Sequence, residues 1–172
     1  MTMRFTRMIL IAMFVMTAAA SAPAAWLDVG GGEEAAPTVS VAEVGQGRIQ
    51  LEVSLSGLET VPVSIDGDQY AKLVLPGHVQ LLERGAPQVP YITTSLIIPD
   101  QGTSRVRVLD ATYREFATDP VVPSKGPILR TVDPKLVRHE FGPAYQGGVF
   151  PAALAELSDP YLVRDFRGLN VR

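Results

Sequence analysis

The chain has 172 residues, with 15 Lys and Arg against 18 Asp and Glu, which gives a net charge of −3 at pH 7. This balance argues against the basic patch that nucleic-acid binding needs. The chain contains no cysteine, which excludes both a disulfide framework and a cysteine nucleophile. Its stability must come from a packed core, and the length suffices for one domain that buries most of its unfolded surface.

The first 24 residues indicate a secretory signal peptide. Arg4 and Arg7 precede an apolar run from Met8 to Met16, and small residues follow as far as Ala24. This order is typical of a signal peptide, here cleaved after Ala24. A transmembrane anchor is the alternative, but a spanning helix needs roughly 20 apolar residues. The sequence therefore predicts export to the periplasm, the cell surface or the medium, with no stable membrane anchor after cleavage.

Residues 25–47 are predicted to form a flexible leader before the folded domain, which we place at residues 48–172. Three consecutive glycines, Gly30 to Gly32, are followed by Glu33 and Glu34, a composition typical of a mobile segment. A phosphate-binding loop is excluded because the required Lys-Ser/Thr pair and the dinucleotide spacing are both missing.

The first half of the predicted domain has the pattern of antiparallel strands. Apolar and polar residues alternate from Ile49 to Leu55 and again from Val61 to Ile65, the period of a strand with one buried face. Asp66-Gly67 then predicts a hairpin turn into a strand over residues 70–75. A calcium loop at this turn is the alternative, but Ca²⁺ takes more oxygen ligands than the stretch offers.

Three further strands are predicted downstream. The β-prone run from Tyr91 to Ile98 is bounded by prolines and is expected at the centre of a sheet. Val106 to Phe116 is expected to form a long strand, and Leu162 to Arg167 a final one. Strands at this spacing, separated by Gly/Pro turns, favour an all-β fold, an antiparallel β-sandwich.

Residues 119–148 form a different kind of segment, a long Pro/Gly-rich excursion without sustained alternation. Long loops in compact domains are usually functional or disordered. Asp133-Pro134 predicts one short helical turn, with Asp133 as N-cap and proline at the first helical position. For residues 151–157 the sequence is compatible with a short helix and with an irregular turn.

Catalytic chemistry and metal binding are disfavoured. The two histidines, His78 and His139, are isolated and are expected at the surface. A Cys/His dyad is excluded by the missing cysteine, and the chain has no Gly-x-Ser-x-Gly elbow for a serine triad. Two isolated histidines without clustered carboxylates also make a poor metal site. We therefore predict a chain that is not an enzyme and uses no cofactor or metal.

The stretch from Pro123 to Gly168 carries a specific set of motifs. In chain order they are Pro123-Ser124-Lys125-Gly126, Arg130, Asp133-Pro134, Tyr145, Phe150-Pro151, and a last run that contains Ser158, Asp159, Pro160, Arg164, Asp165, Arg167 and Gly168. A weaker motif of one glycine and two prolines lies at residues 85–90. In this order and spacing the motifs resemble the N-terminal propeptide of gingipain-type cysteine peptidases, secreted bacterial enzymes that cut after Arg or Lys. The likeness covers most of the chain beyond Arg48.

The resemblance implies a β-sandwich pro-domain that keeps a gingipain-like cysteine peptidase latent and assists its folding. In that family a basic residue of the corresponding loop blocks the active-site cleft of the catalytic domain. The implied inhibitory residue is Arg130, which would bind a carboxylate in the specificity pocket through paired hydrogen bonds. Lys125 and Arg138 are the neighbouring substitutes, and cleavage of this loop would end the inhibition. The alternative is a solvated loop arginine.

The last motif, residues 158–168, is expected to support the structure. Arg164, Asp165 and Arg167 are predicted to form an ion-pair cluster across strands, with contact to the enzyme as the alternative. In the resembling family further strands and a catalytic domain follow, whereas this chain ends at Arg172. We therefore expect an incomplete C-terminal part, in a piece of a longer precursor, a truncated reading frame or a free-standing relict.

Two other functions remain open from the sequence. One is an exported β-sandwich that acts as a binding or adhesion module without a peptidase partner. The other is a precursor segment that assists folding without occluding an active site.

Overall fold

The computed structural model describes residues 24–45 and 47–172, so the predicted signal peptide lies outside the described residues, apart from Ala24. Within these ranges the strands are β1 (Ala25–Asp28), β2 (Thr38–Gly45), β3 (Arg48–Ser54), β4 (Gly57–Ile65), β5 (Asp68–Val74), β6 (Val79–Gln80), β7 (Pro90–Tyr91), β8 (Thr94–Ile98), β9 (Tyr161–Val163) and β10 (Phe166–Val171). Helix is confined there to two 3-10 turns, Pro134–Leu136 and Pro143–Gln146, neither of which is long or apolar enough to span a membrane. All pairs of these strands are antiparallel, which confirms the predicted all-β fold class.

The first sheet has the order β1-β4-β5, with β4 in the middle. The predicted hairpin between β4 and β5 is present. Asp66 and Gly67 both have left-handed backbone angles, with φ of 53° and 98°, as the tightest hairpin turns require. On the other side of β4, the indole of Trp26 packs so closely against Gly57 that a Cβ there would collide with it. This contact ties β1 to the sheet.

The leader segment is more ordered than the sequence predicts. β1 and β2 occupy much of residues 25–45, and residues 29–37 between them form bends and irregular structure. β2 pairs with β3 in a separate two-stranded sheet, in which Val39 faces Val53 and Val41 faces Leu51. Cross-strand pairs of this kind stabilise a sheet. Apolar and polar residues alternate in β2, which favours a strand, but the glycines nearby in the sequence favour a mobile segment.

The third sheet has the order β8-β10-β9 and corrects two predictions. Leu162 to Arg167 is not a single strand, because Arg164 has a φ of 54° and turns the chain back between β9 and β10. The run from Tyr91 to Ile98 is not central either, because β8 covers only its second half and lies at a sheet edge, where Ile97 is 67% exposed. An apolar run alone does not show whether one or both faces are covered.

The predicted long strand over residues 106–116 is wrong. This segment has no strand, and residues 103–118 make no backbone–backbone hydrogen bond to other described residues. Of residues 106–116 only Ala111 is half-buried, and the others are exposed. β-propensity reflects packing against neighbouring strands, and the described chain offers this segment no such neighbour.

The buried core lies next to the long excursion. Its apolar members in the described chain are Ala71, Leu75, Ala86, Val122 and Leu169. The largest fully buried side chains are Pro123 and Ser124, near the start of the excursion. The best-covered part of the described molecule is therefore the place from which the excursion starts.

Candidate functional site

The excursion begins as an extended segment, residues 121–124, inserted between two other parts of the backbone. Hydrogen bonds fix it on both sides. They run from Ala71 N to Pro120 O (2.9 Å), from Val122 N to Ala71 O (2.9 Å), from Gln88 N to Val122 O (2.9 Å) and from Ser124 N to Ala86 O (2.8 Å). Buried backbone groups need such partners. The segment behaves as an added strand between β5 and residues 86–88.

The Pro-Ser-Lys-Gly motif forms the end of this segment, and the structure gives a local reason for its serine and its glycine. The Ser124 hydroxyl is buried and accepts a hydrogen bond from Gly126 N at 3.1 Å. Gly126 has a φ of 75°, and a Cβ there would lie 3.0 Å from the Cβ of Arg84. Only glycine fits this conformation and this approach without strain. Glycine is therefore required at the point where the chain passes from the buried segment to exposed residues.

The excursion returns to the same place. The ring of His139 donates from Nδ1 to Pro123 O at 2.8 Å, Gly142 N donates to Gly85 O at 2.8 Å, and Tyr145 Oη donates to Val121 O at 2.6 Å. His139 is thus half-buried and bonded, not a surface residue as the sequence predicts. These contacts join residues 139–145 to residues 121–126 and to Gly85, and we call the segments 121–126 and 139–145 together the loop base.

Two further contacts close the loop base. Glu140 accepts bidentate hydrogen bonds from the Arg84 guanidinium, a geometry that favours strong pairing. The ring of Phe141 lies between Tyr70 on β5 and Tyr145, with centroid distances of 5.5 and 5.1 Å. Burial, and to a lesser degree Tyr70, raises the pKa of Tyr145 to about 12. Its hydroxyl therefore keeps its proton, and can donate it, to a higher pH than an ordinary tyrosine.

Residues 127–138, which we call the loop tip, extend from this base into solvent. Val132 N donates to Leu129 O at 2.9 Å and closes a turn. Asp133 Oδ1 accepts from Lys135 N at 2.9 Å and caps the 3-10 turn, as predicted. The Lys125 ammonium reaches across and donates to Pro134 O at 2.8 Å. The tip is therefore shaped by its own hydrogen bonds although it is mostly exposed.

The three predicted inhibitory residues occupy different situations. Arg130 is exposed at the second position of the turn that Leu129 opens, and its side chain has no hydrogen bond or ion pair to the described residues. Arg138 is likewise exposed at the end of the tip. Lys125 is half-buried, and its ammonium is already engaged by Pro134 O. Arg130 and Arg138 are thus both exposed to solvent, whereas Lys125 has an internal partner.

The charge of this region is opposite to that of the whole chain. Residues 125–138 contain four cations, Lys125, Arg130, Lys135 and Arg138, against the single acid Asp133, whereas the chain carries −3. A local net charge of +3 in an exposed loop favours an acidic partner surface and speeds the encounter with it.

The last motif, residues 158–168, packs around β10. Ser158 Oγ accepts from Asn170 N at 2.9 Å, and Asp159 and Pro160 are exposed. Gly168 is buried under the ring of Tyr161, which a Cβ would approach to 3.0 Å. These contacts concern the sheet and not the loop tip.

The predicted ion-pair cluster does not form within the described chain. Arg164 and Asp165 are exposed on the β9–β10 turn. Arg167 Nη1 instead donates to three carbonyls of one turn, those of Pro99, Asp100 and Gly102, at 3.2 to 3.3 Å. The ion pairs of the described residues are Arg84–Glu140 and Arg172–Glu156.

Sequence reasoning missed the residues that close the loop base. Arg84 and Glu140 lie 56 residues apart, and no local pattern links them. The only available signal was the position of residues 85–90 in a weaker motif. No group of three or more His, Cys, Asp or Glu residues that could hold a metal ion occurs in the described ranges.

Comparison with curated proteins finds relatives of one kind. Gingipain R1 of Porphyromonas gingivalis is 37% identical over 91 residues, which is 52% of this chain and 9% of that protein. Gingipain R2 of the same species is 26% identical over 133 residues, which is 77% of this chain and 18% of that protein. The chain therefore spans less than a fifth of the length of these relatives.

Solved structures and a family model agree with these relatives. The chain is similar to the structure described as a complex of Porphyromonas gingivalis RgpB pro- and mature domains, with a TM-score of 0.71 and 26% identity over 77% of this chain and 70% of that chain. The structure that describes the zymogenic latency of gingipain K has a TM-score of 0.69 at 19% identity, over 87% of this chain and 84% of that chain, and supports the fold. The family model Propeptide_C25 matches residues 32–172. The predicted relationship is confirmed, and the chain belongs to the Propeptide_C25 family, the propeptides of gingipain-type cysteine peptidases.

Proposed function

We propose that this chain keeps a gingipain-like cysteine peptidase latent by laying the loop across the active-site cleft. In this proposal Arg130 enters the pocket that accepts the basic side chain of a substrate. The inhibition is competitive and steric, because a substrate and the loop cannot occupy the cleft together.

The observation that carries the proposal is the contrast between Arg130 and the segment that holds it. Arg130 is exposed and has no side-chain partner among the described residues, while both ends of its loop are fixed to the core. Insertion of Arg130 into a pocket therefore breaks no described contact. A pre-ordered loop also loses less conformational entropy on binding than a mobile one.

The chemistry of arginine agrees with such a pocket. A guanidinium forms paired, charge-assisted hydrogen bonds with a carboxylate, and a pocket that selects basic side chains needs an acidic group. Arg138 and Lys135 lie close by in the sequence and add positive charge to the tip. This charge favours an acidic cleft as the docking surface.

The comparisons support the choice of partner. The RgpB structure is described as a complex between a pro-domain and its mature domain, and the gingipain K structure is described in terms of zymogenic latency. By extension we assign the catalytic domain of a gingipain-like cysteine peptidase as the partner. With the predicted signal peptide, this interaction belongs outside the cytoplasm.

An inhibition assay tests the proposal. The purified chain is titrated against mature gingipain R2, and Arg130→Ala is compared with Arg138→Ala, a matched change at another exposed arginine of the tip. We expect Arg130→Ala to raise the inhibition constant at least tenfold, about 1.4 kcal/mol, and Arg138→Ala to change it less than threefold. An unchanged inhibition constant for Arg130→Ala would remove the pocket assignment.

The two other functions make different predictions. A binding or adhesion module without a peptidase partner predicts no inhibition by the wild-type chain. Assistance in folding, which we propose as a second effect of the same domain, predicts that a denatured catalytic domain recovers more activity when it refolds with the chain present. A chain that only assists folding would show this recovery without inhibiting the folded enzyme.

A further inference from the structure

Two leucines of the loop tip are among the most exposed large apolar residues of the described chain. Leu129 is 74% and Leu136 is 80% exposed. Ile128 and Val137, two other apolar residues of the same tip, are half-buried against the rest of the chain. The tip thus packs part of its apolar surface and leaves these two side chains in water, where burial by a partner would be favourable.

The backbone that carries the two leucines is ordered. Leu129 is the first residue of the turn closed by Val132 N, and Leu136 is the last residue of the 3-10 turn capped by Asp133. The bond from Lys125 Nζ to Pro134 O links the 3-10 turn to the loop base. The two side chains are therefore presented from fixed positions, one just before Arg130 in the chain and one after it.

We propose that Leu129 and Leu136 form the apolar part of the same interface, and that each packs against an apolar wall of the peptidase cleft beside the pocket that receives Arg130. This inference rests on the proposed function and adds a property of the partner, an acidic pocket flanked by apolar surface. Apolar contacts around a charged anchor exclude water, which strengthens the charged contact at the centre.

The test compares equally exposed leucines in the inhibition assay with mature gingipain R2. Leu129→Asn and Leu136→Asn remove apolar surface from the tip. Leu162→Asn is the matched control, because Leu162 is 76% exposed and lies on β9, outside the loop. We expect each tip variant to raise the inhibition constant about tenfold, since burial of a whole leucine side chain is worth at least that factor. Leu162→Asn should leave it within twofold, and all three variants should keep the thermal midpoint of the wild type.

The outcomes separate this inference from the proposed function when Arg130→Ala is measured beside them. If Arg130→Ala weakens inhibition and the two tip variants do not, the apolar contact is overturned and the pocket assignment stands. If the tip variants weaken inhibition and Arg130→Ala does not, the apolar contact stands without the pocket. Equal losses for all three leucine variants would also overturn the inference, because the effect would then not be specific to the tip.

Discussion

The loop base and the loop tip are adjacent in the chain and opposite in their physical properties. In the base, Pro123 and Ser124 are fully buried, and hydrogen bonds connect both ends of the loop to the rest of the domain. In the tip, Leu129, Arg130 and Leu136 are exposed, and the cations outnumber the acids. The residues of the base stabilise the domain, and the residues of the tip are exposed for contact with another molecule.

This difference shows how a small domain can present a loop without losing order in it. A loop that is fixed only at distant ends would be mobile, and its binding would be opposed by the entropy of ordering. Here the two ends of the loop meet at the core, so only a short tip lies outside. Substitutions of base residues that contact the core should therefore change the free energy of unfolding. Substitutions in the tip, or of the Lys125 ammonium that bonds to the tip, should mainly change inhibition.

The largest expected effect on stability is that of Gly126→Ala. The left-handed backbone and the close approach of Arg84 both oppose a Cβ at this position. We expect the free energy of unfolding, measured by urea denaturation, to fall by about 2 kcal/mol. Gly32→Ala is the control, because Gly32 has no atom near its Cβ position and should leave stability unchanged. Equal stability of the two variants would contradict the described loop base.

A smaller loss is expected from Tyr145→Phe, which removes the hydrogen bond from Tyr145 Oη to Val121 O. A lost bond of this kind costs about 1 kcal/mol of unfolding free energy. The free energy of binding to the peptidase should change less than the free energy of unfolding, because Tyr145 lies in the base.

The pH dependence of the same pair checks this assignment. The folded chain raises the pKa of Tyr145 from 10.0 to about 12, so the folded state retains a proton that the unfolded state loses. The corresponding stability is fully present below pH 10 and is lost as the pH rises towards 12. The wild type should therefore lose more stability than Tyr145→Phe between these values, and parallel curves would contradict the burial of the hydroxyl.

The smallest effect is expected from Lys125→Met, which removes the bond to Pro134 O. The free energy of unfolding should change by less than about 0.5 kcal/mol, because the lost bond joins the ammonium only to the exposed tip. Amide hydrogen exchange in residues 127–137 should become faster, and inhibition should weaken roughly threefold because the tip is less ordered. Lys135→Met is the control, because it also removes one positive charge but leaves the bond from Lys125 to Pro134 O in place. An identical result for both variants would show that only charge matters.

The sequence predicts the local elements of this fold better than their arrangement. The β4–β5 hairpin and the cap at Asp133 follow from residues that stand next to each other, so they could be predicted. The long strand over residues 106–116 could not be rejected, because its failure depends on the absence of a neighbouring strand in the described chain. The same holds for β2, because its alternating residues indicate a strand only when its pairing with β3 is known.

For the candidate site, the motif residues were predictable and their roles were not. The Pro-Ser-Lys-Gly motif is visible in the sequence, but the roles of its residues are not. The bond from Gly126 N to Ser124 Oγ and the bond from Lys125 Nζ to Pro134 O both depend on three-dimensional contacts. His139 and the Arg84–Glu140 pair close the base from distant positions, which no periodicity reveals. Arg130 remains a prediction of the resemblance, supported by its exposure.

Inhibition and stability measured on one variant, Arg130→Ala, test the proposed occlusion of the cleft most directly. We expect the inhibition constant against mature gingipain R2 to rise at least tenfold while the free energy of unfolding stays within about 0.5 kcal/mol of the wild type. Unchanged inhibition, or a loss of inhibition that merely follows a loss of stability, would contradict the proposed occlusion.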